Sequence, residues 1–571
     1  MTVRVVSFLA VLFIPAGLSS GAPRPELRGI WLHGPQVKTP AEADAVIAKI
    51  DRANLNAVFV LVWYWGGQAY FRTALCPMAD GVQPGYDPLG YLIDKCHKHN
   101  IQVHAWFVNG AYGSQQVRNV LDKHPDWAVQ DGTGTLWYDF SKPEVRRFES
   151  DLMIECLRKY DVDGLHFDYI RYGPRQCYCD YCQTTFARRF GLEPLMRERR
   201  TTFPAGVTIT ANPLAKPTTA LVMAEFYDGT PAIALNKLGK GAVMLLNWHA
   251  ENEMPPAVAE TLKLMLGIWT TSGAPVHLTT TPENRDEYGG SSLEAARSCL
   301  TRLGYRPAAI PSEQIAKLSG NAVLVLPAVY LISESTAGDL ERFVRKGGKL
   351  LIIDGPTKSM QLPAMQRLTG FAACGRYLNR DDIIRSTGRS PLVPKGKHQM
   401  NLLDWRRRMS KWAQFRKLGV TELVRDVYRR AKALKPNVQV TAAVLNTLDS
   451  ADSAYQEWPR WLREKTIDFV VPMAYTEDTG DLARQIAQWK TIDPQLQRII
   501  PGLSIYQDPA GKAVPRDVAL VRRQHTLCRQ HGAHGNLYFS MEHLSGPLID
   551  LFRTEFYPAE APVYVPPRRL P

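Results

Sequence analysis

Eight short apolar segments recur along the chain, and amphipathic stretches follow several of them. The segments lie at residues 27–33, 57–63, 101–109, 162–172, 438–444, 467–475, 499–505 and 535–540. In the stretch 87–99, Leu89, Leu92, Ile93 and Cys96 recur at helical spacing. Strands alternating with helices predict a parallel sheet with crossover helices. Eight such units predict a TIM-like (β/α)8 barrel of the α/β class.

The predicted barrel is interrupted after its fourth strand by a segment long enough to be a domain. The segment begins with a β-rich piece at 219–248. An α/β piece follows, with strands at 320–327 and 349–354 around a helix at 335–345. This pattern predicts a flavodoxin-like α/β insert. The expected division is a first barrel half at 25–199, the insert at 200–398, a second half at 399–560 and a Pro-rich tail at 561–571.

The N-terminus has the pattern of a signal peptide. Arg4 precedes a mostly apolar run at 5–18, and small residues follow at 19–22. The run is short and broken by Pro and Gly, which does not favour a membrane span. We therefore expect residues 1–22 to be a signal peptide and the mature protein to be secreted or periplasmic, without stable membrane insertion.

The chain carries a formal net charge of +14, which favours an anionic partner. Acidic polysaccharides, cell-wall polymers, membrane surfaces and nucleic acids all fit that description. The basic residues are scattered, and their denser groups at 197–200 and 406–408 are typical of solvated helix faces. Nucleic acid is therefore not an expected partner.

The fourth segment ends in a carboxylate. It reads Val-Asp-Gly-Leu-His-Phe-Asp-Tyr-Ile-Arg-Tyr from 162 to 172, and it is apolar until Asp168. Catalytic groups of such barrels lie at the C-terminal ends of strands, which makes Asp168 the first candidate. Arg171 is expected to lower the pKa of Asp168 and to hold it ionised as a nucleophile or base. The alternative is that Asp168 only caps a helix or pairs with Arg171.

Three of the nine cysteines lie together directly after this segment, as Cys177, Cys179 and Cys182. They could hold a metal with a fourth ligand from elsewhere, or form one disulfide with a spare thiol. The disulfide clip is preferred because structural zinc sites are almost always four-coordinate and no fourth ligand is apparent. Neither a metal nor a cofactor is therefore expected.

Several of these motifs resemble the glycosyl-hydrolase-like 10 family. The resemblance rests on Arg-Gly-Ile-Trp at 28–31, His-Ala-Trp-Phe at 104–107, the 163–172 stretch and Asp-Phe-Val-Val-Pro-Met-Ala-Tyr at 468–475. It implies a TIM-like barrel that acts on cell-wall or related glycans, including peptidoglycan strands stripped of peptide. The insert resembles a glutamine-amidotransferase-like or β-galactosidase-trimerisation-like domain. In the catalytic domains of this kind a cysteine follows such a strand. The insert has no cysteine directly after its strands at 320–327 and 349–354, so we expect it to be non-catalytic.

A more distant comparison argues against one mechanism. Chitinase-like family 18 barrels resemble this chain at Asp163, Gly164 and Asp168, but Ile170 stands where their acid Glu would be. Substrate-assisted chitinase chemistry therefore lacks its proton donor here.

Glycoside hydrolysis usually needs a second carboxyl group. Glu477 and Asp478 follow strand six, Asp508 follows strand seven and Glu542 follows strand eight. By analogy with α-galactosidase-like enzymes, Glu477 and Asp478 are the preferred candidates for the second catalytic carboxyl, and Glu542 is the next candidate. Each of these carboxyls also fits a helix N-cap or a surface charge.

Further side chains near predicted strand ends are candidates for substrate binding, since sugars stack on aromatic faces and bind polar groups beside them. They are His33, Trp63, His104, Trp106, Asn109, Asp139, Arg171, Tyr172 and Tyr475. His104 fits a neutral core histidine equally well, and Asp139 also fits a structural role.

These observations favour an exported glycoside hydrolase with a polysaccharide substrate. The alternative is a carbohydrate-binding or scaffolding barrel without catalysis, in which the insert mediates homo-oligomer assembly. A metal-dependent deacetylase is disfavoured, since no His/Asp metal cluster is evident at the strand ends. A second carboxyl facing Asp168 would separate the first two hypotheses.

Overall fold

The computed structural model describes most of the chain from residue 25 onward. The described residues are 25–64, 67–113, 119–130, 135–173, 177, 179–192, 205–211, 217–226, 228–250, 254–281, 290–354, 358–372, 378–393, 402–507 and 513–566. The predicted signal peptide lies outside them. Among the described helices, none combines the length and the hydropathy that a membrane span requires.

Eight parallel strands close into a barrel. In chain order they are β1 (Leu27–Leu32), β2 (Ala57–Tyr64), β3 (Gln102–Val108), β4 (Gly164–Asp168), β5 (Gln439–Val444), β6 (Phe469–Ala474), β7 (Gly502–Ser504) and β8 (Gly535–Phe539). Each strand pairs with the next, and β1 pairs with β8, with Leu27 opposite Gly535. The predicted α/β barrel class is confirmed.

Side chains alternate along the barrel strands between two apolar layers. On β2, Phe59 and Leu61 belong to the cluster that fills the barrel interior together with Trp31 and Trp106. The intervening Val60 belongs to the cluster between the barrel and its helices. Buried apolar area on both faces of the strands therefore holds the closed sheet together.

Helices surround the barrel. The longer ones are Pro40–Arg52, Pro88–Lys98, Pro143–Lys159, Asp180–Phe190, Leu402–Leu434, Thr479–Trp489 and Val518–Gln530. Shorter ones are Asn119–Lys123, Leu448–Ser453, Trp458–Glu464 and Gly546–Leu551. The first of these helices begins with a capping box, in which the Thr39 side chain accepts from the Glu42 backbone N–H and Glu42 accepts from that of Thr39.

The residues between β4 and β5 form a second, nine-stranded sheet. Its strand order is Ala308–Ala309, Val276–Leu278, Val323–Leu326, Lys349–Ile353, Gly241–Leu246, Pro231–Leu238, Leu221–Phe226, Leu378–Ser386 and Ala205–Ala211. The first five strands are parallel and the last four antiparallel. Because Gly241–Leu246 pairs with Lys349–Ile353, the predicted β-rich and α/β pieces share one sheet rather than forming separate pieces.

Helices cover both faces of this second sheet. Pro256–Thr270 and Gly290–Arg302 contribute to one apolar cluster, and Glu334–Lys346 and Pro363–Thr369 to the other. The chain then returns to β5 through Leu402–Leu434, which packs against Pro143–Lys159 of the barrel.

Candidate active site

Asp168 is the last residue of β4, and its carboxyl group is held from two sides. The indole Nε1 of Trp106 donates to Oδ2 over 3.2 Å. The backbone N–H of Tyr169 donates to Oδ1 over 2.6 Å. The residue is 5% exposed, so the carboxyl group is fixed and largely shielded from water.

Burial raises the pKa of Asp168 above the ordinary range of an aspartate. Arg171 opposes this shift, with Nη1 lying 4.0 Å from Asp168 Oδ1. The hydrogen bonds from Tyr169 and Trp106 also oppose it. Arg171 lowers the pKa of Asp168, as expected, but the cost of desolvating the carboxylate outweighs this effect, so the net shift is upward. Asp168 therefore holds its proton to higher pH than a free aspartate.

The chain turns sharply after Asp168. Tyr169 has φ of +48°, in the left-handed region that few non-glycine residues adopt. Its ring lies 4.3 Å from the Arg171 guanidinium, in a cation–π contact. The backbone carbonyls of Tyr169 and Arg171 lie so close to Gly110 that a Cβ there would collide with both. Gly110 thus lets the loops after β3 and β4 pack together.

Aromatic side chains flank Asp168 at the same end of the barrel. The rings of Tyr475 and Phe539 stack at 5.4 Å, and Tyr506 lies 6.0 Å from Phe539. Burial raises the pKa of Tyr475, and the charge of Asp168 raises it further. Residues at or just after the ends of β6, β7 and β8 therefore converge near the end of β4, which makes an apolar wall beside a carboxyl group.

Glu542, in the short 3-10 turn after β8, is linked to this group through His33. His33 Nδ1 lies 2.9 Å from Glu542 Oε1, and the His33 ring lies 5.3 Å from that of Trp106. The close contact with His33 lowers the pKa of Glu542, against a smaller opposing effect of burial. The side chain is 44% exposed, so Glu542 is accessible to solvent.

The two strand-six carboxyls point to solvent. Asp478 caps the helix Thr479–Trp489: its Oδ1 accepts from the Gly480 backbone N–H over 2.7 Å. Arg484 lies 3.5 Å from its other oxygen. The alternative role of helix cap is therefore the one that the structure gives Asp478. Glu477 is exposed, and Asp508 lies outside the described residues.

Two expected substrate contacts lie on the outer side of the barrel instead. Trp63 is 1% exposed, and its ring packs against Phe148 at 5.9 Å. Asn109 is fully buried and donates from Nδ2 to Glu149 Oε2 over 2.7 Å. Both predictions are corrected, because these side chains face the helix Pro143–Lys159 and contribute to packing.

His104 is a core histidine, the alternative that its sequence context left open. Its ring stacks on Phe59 at 4.2 Å, and it lies beside Gly164, where β4 begins. Burial lowers the pKa of His104 to about 4, so the ring is neutral at physiological pH. A substrate contact is excluded by its complete burial in the barrel interior.

Asp139 and Tyr172 belong to a separate buried cluster. Arg416 Nη1 donates to Asp139 Oδ1 over 3.1 Å, and the Tyr172 hydroxyl donates to the same oxygen over 3.3 Å. Asp139 is 1% exposed and Tyr172 is 5% exposed. Asp139 therefore has the structural role that was its alternative. Tyr172, which was expected to contact substrate, belongs to the same buried structural cluster.

The family described as Glycosyl hydrolase-like 10 matches residues 26–200 and 377–517, more than half of the chain. The chain belongs to this family. Glycosyl hydrolase DigH of Escherichia coli K12 is 31% identical over 168 residues, which cover 25% of this chain and 38% of DigH. Glycosyl hydrolase YngK of Bacillus subtilis is 31% identical over 170 residues, covering 25% of this chain and 32% of YngK. The matches thus span well under half the length of either relative.

Among solved structures, a β-galactosidase from Bacillus circulans covers 90% of this chain and 50% of its own, at 11% identity and a TM-score of 0.41. An α-galactosidase from Lactobacillus brevis covers 25% of this chain and 20% of its own, at 15% identity and a TM-score of 0.20.

One buried carboxyl of this glycosyl hydrolase-like 10 chain, that of Glu149, was not among the residues predicted from the sequence. Glu149 is fully buried, and burial raises its pKa to about 8 despite hydrogen bonds from Asn109 and Trp63. A signal was present: Glu149 falls in helical register with buried Val145, Met153 and Cys156, so it lies on the apolar face of its helix.

A cavity of about 460 Å³ lies at the opposite end of the barrel. It is lined by residues where β3 to β6 begin, including Gln102, Asp163, Gln439 and Asp468. In barrels of this kind, that end contributes to stability and the C-terminal end to chemistry. The cavity is therefore separate from the group around Asp168 and Glu542.

Proposed function

We propose that this chain hydrolyses glycosidic bonds, with Asp168 as the proton donor and Glu542 as the ionised carboxylate. The observation that carries the proposal is the link between the two carboxyls at one end of the barrel: His33 lies 2.9 Å from Glu542, and its ring lies 5.3 Å from that of Trp106, which donates to Asp168. The directions of their pKa shifts support it. Burial raises the pKa of Asp168, whereas His33 lowers that of Glu542. Glycosidases with paired carboxyl groups need one protonated and one ionised group at the same pH.

The two carboxyls also differ in access to water in the way this chemistry requires. Trp106 and Tyr169 hold the Asp168 carboxyl in place at the C-terminal end of β4, the end where barrels of this kind carry out chemistry, and from there it would donate a proton to the leaving glycosidic oxygen. Glu542 is 44% exposed and acts either as the nucleophile or as the base that activates water. Tyr475 and Phe539 stack on each other and are partly exposed, so together they form an aromatic surface against which a sugar ring can pack.

For the substrate, we propose a cell-wall glycan, in particular peptidoglycan strands without peptide. Family membership, the glycosyl hydrolase names of the relatives and the net charge of +14 support this choice. Such strands carry carboxylates, which a basic protein attracts. Export through the signal peptide at residues 1–22 and self-association through the insert at 200–398 belong to the same proposal.

The test is the release of reducing ends from peptide-free peptidoglycan glycans and a panel of neutral polysaccharides. Wild type is compared with Asp168→Asn and Glu542→Gln, and Glu477→Gln and Asp478→Asn serve as matched carboxyl controls. We expect losses of about 100-fold to 10,000-fold for the first two variants. The two controls should retain activity, since both side chains lie in solvent. Circular dichroism verifies folding.

The outcomes separate the competing hypotheses. Full activity in folded Asp168→Asn would remove Asp168 from the chemistry. A large loss in Glu477→Gln together with an active Glu542→Gln would transfer the second role to strand six. A wild-type protein that binds glycans without releasing reducing ends would establish the non-catalytic carbohydrate-binding barrel.

A further inference from the structure

Three thiols and one carboxylate converge beside the barrel, on the loops after β3 and β4. Cys177, Cys179, Cys182 and Asp139 each offer one ligand atom, and these four atoms all lie within 4.8 Å of one another. Cys182 Sγ lies 2.9 Å from Asp139 Oδ2. In a tetrahedral zinc site, bonds of about 2.3 Å place the ligand sulfurs about 3.8 Å apart. The cluster therefore matches the dimensions of a four-coordinate metal site to within small side-chain movements.

Asp139 supplies the fourth candidate ligand, which the spacing of the cysteines in the sequence did not indicate. The preference for a disulfide clip rested on its absence, and the structure removes that argument. Asp139 lies in the loop after β3, whereas the cysteines follow β4, so only the barrel register brings the four groups together. All three cysteines carry free thiols.

The surroundings orient Asp139 for this role. Its Oδ1 is occupied by Arg416 at 3.1 Å, by the Ser141 backbone N–H at 3.0 Å and by the Tyr172 hydroxyl at 3.3 Å. These contacts leave Oδ2 directed at the thiols. Partners of this kind commonly fix the orientation of metal ligands.

Charge balance favours the same conclusion. Three thiolates, one carboxylate and a divalent cation carry a net charge of −2. The fully buried guanidinium of Arg416 lies 3.5 Å from Cys182 Sγ and donates to the Cys177 carbonyl. A buried cation requires neighbouring negative charge, and a thiolate-rich metal site provides it. Thiolate ligands select zinc over magnesium or calcium.

We propose that Cys177, Cys179, Cys182 and Asp139 bind one Zn²⁺ in a closed, structural site. With four protein ligands no position remains for substrate, so the metal fastens loops rather than reacting. It ties the loop after β4 to the loop after β3 and, through Arg416, to the helix Leu402–Leu434. The chain leaves the barrel for the insert at this point, only a few residues after Asp168 and Arg171.

The experiment measures metal in the full chain, purified without a histidine tag and under reducing conditions. Mass spectrometry of the metal should find about one zinc per chain in wild type and in Cys76→Ser, and strongly reduced zinc in Cys179→Ser and Asp139→Asn. Cys76 is the matched control because its thiol is free and partly buried, like those of Cys177 and Cys179. Replacement by Co²⁺ should give thiolate-to-cobalt charge-transfer absorption in wild type that Cys179→Ser lacks.

A second measurement needs no variant, in case these substitutions prevent folding. A mercurial reagent is titrated into wild type while a chromophoric chelator reports released zinc. Release that accompanies the modification of three thiols supports the site. Absence of bound zinc after dialysis against Zn²⁺, or unchanged zinc in folded Cys179→Ser, would overturn the proposal. A disulfide between two of the three cysteines in the purified protein would overturn it as well.

Discussion

His33 Nδ1 lies 2.9 Å from Glu542 Oε1, and this contact joins the residue after the first barrel strand to the turn after the last. It is the largest cause of the lowered pKa of Glu542. The same histidine also favours ionisation of Asp168, where burial dominates. One imidazole thus acts on both proposed catalytic carboxyls, and it stabilises the more exposed one in its ionised form.

Replacing His33 should shift the pH profile. In His33→Ala the pKa of Glu542 rises, because the carboxylate loses the imidazole contact that lowers this pKa most. The acidic limb of kcat/KM against pH, which reports ionisation of Glu542, should therefore move to higher pH. His99→Ala is the control, since His99 pairs with Asp51 on the surface. An acidic limb that stays in place in His33→Ala would exclude Glu542 as the group that titrates there.

Removing Arg171 should shift the basic limb of the pH profile of kcat/KM. Burial raises the pKa of Asp168 and Arg171 opposes it, so Arg171→Gln raises that pKa further. If Asp168 donates the proton, its activity ends when it ionises, and the basic limb should move to higher pH. The profile of Arg522→Gln, which breaks an exposed pair with Glu555, should match wild type. A shift to lower pH would contradict the proton-donor role.

Glu149 should make the protein less stable as pH rises. Its pKa is raised from 4.5 to about 8 in the folded state, so the folded chain binds more protons than the unfolded chain between those values. The free energy of unfolding therefore falls as pH rises through this window. Glu149→Gln removes the cost of ionising a buried carboxyl. This variant should therefore be more stable than wild type at pH 8, by up to a few kcal/mol.

Thermal unfolding at several pH values tests this, and a neighbour on the same helix gives the opposite sign. The pKa of Glu155 is lowered: burial opposes the shift, but hydrogen bonds from Lys159 and Thr73 outweigh it. Its stabilisation is present at neutral pH and is lost on acidification. Glu155→Gln should therefore be slightly destabilised at neutral pH. Equal pH dependence of wild type and Glu149→Gln would show that Glu149 is ionised or solvated in the folded state.

Removing Arg416 should be strongly destabilising. The side chain is fully buried and pairs with Asp139, which is 1% exposed. Arg416→Met leaves the Asp139 carboxylate without its cation, which typically costs about 3–5 kcal/mol. Denaturant unfolding measures the effect, and Arg522→Gln should lose less than about 1 kcal/mol because its ion pair is exposed. A loss of that small size in Arg416→Met would show that Asp139 finds its compensating charge elsewhere.

Local sequence patterns were sufficient to predict the barrel. Alternating runs of apolar residues specify strands and helices through neighbours only a few positions apart, and eight parallel strands have few ways to bury both faces. The position of Asp168 at the end of β4 follows from that topology. The sharing of one sheet by both parts of the insert did not follow, because a β-rich piece and an α/β piece look independent until Gly241–Leu246 and Lys349–Ile353 pair.

The sequence by itself determined the barrel, its family and the first carboxyl, since these depend on periodicity and on one contiguous motif. Only the tertiary structure decided which side chains from distant parts of the sequence meet at each site. His33 and Glu542 meet because β1 pairs with β8, and Asp139 meets the three cysteines because β3 lies beside β4. The directions of the pKa shifts were also decided there: burial, which no local pattern encodes, outweighs Arg171 at Asp168 and raises the pKa of Glu149.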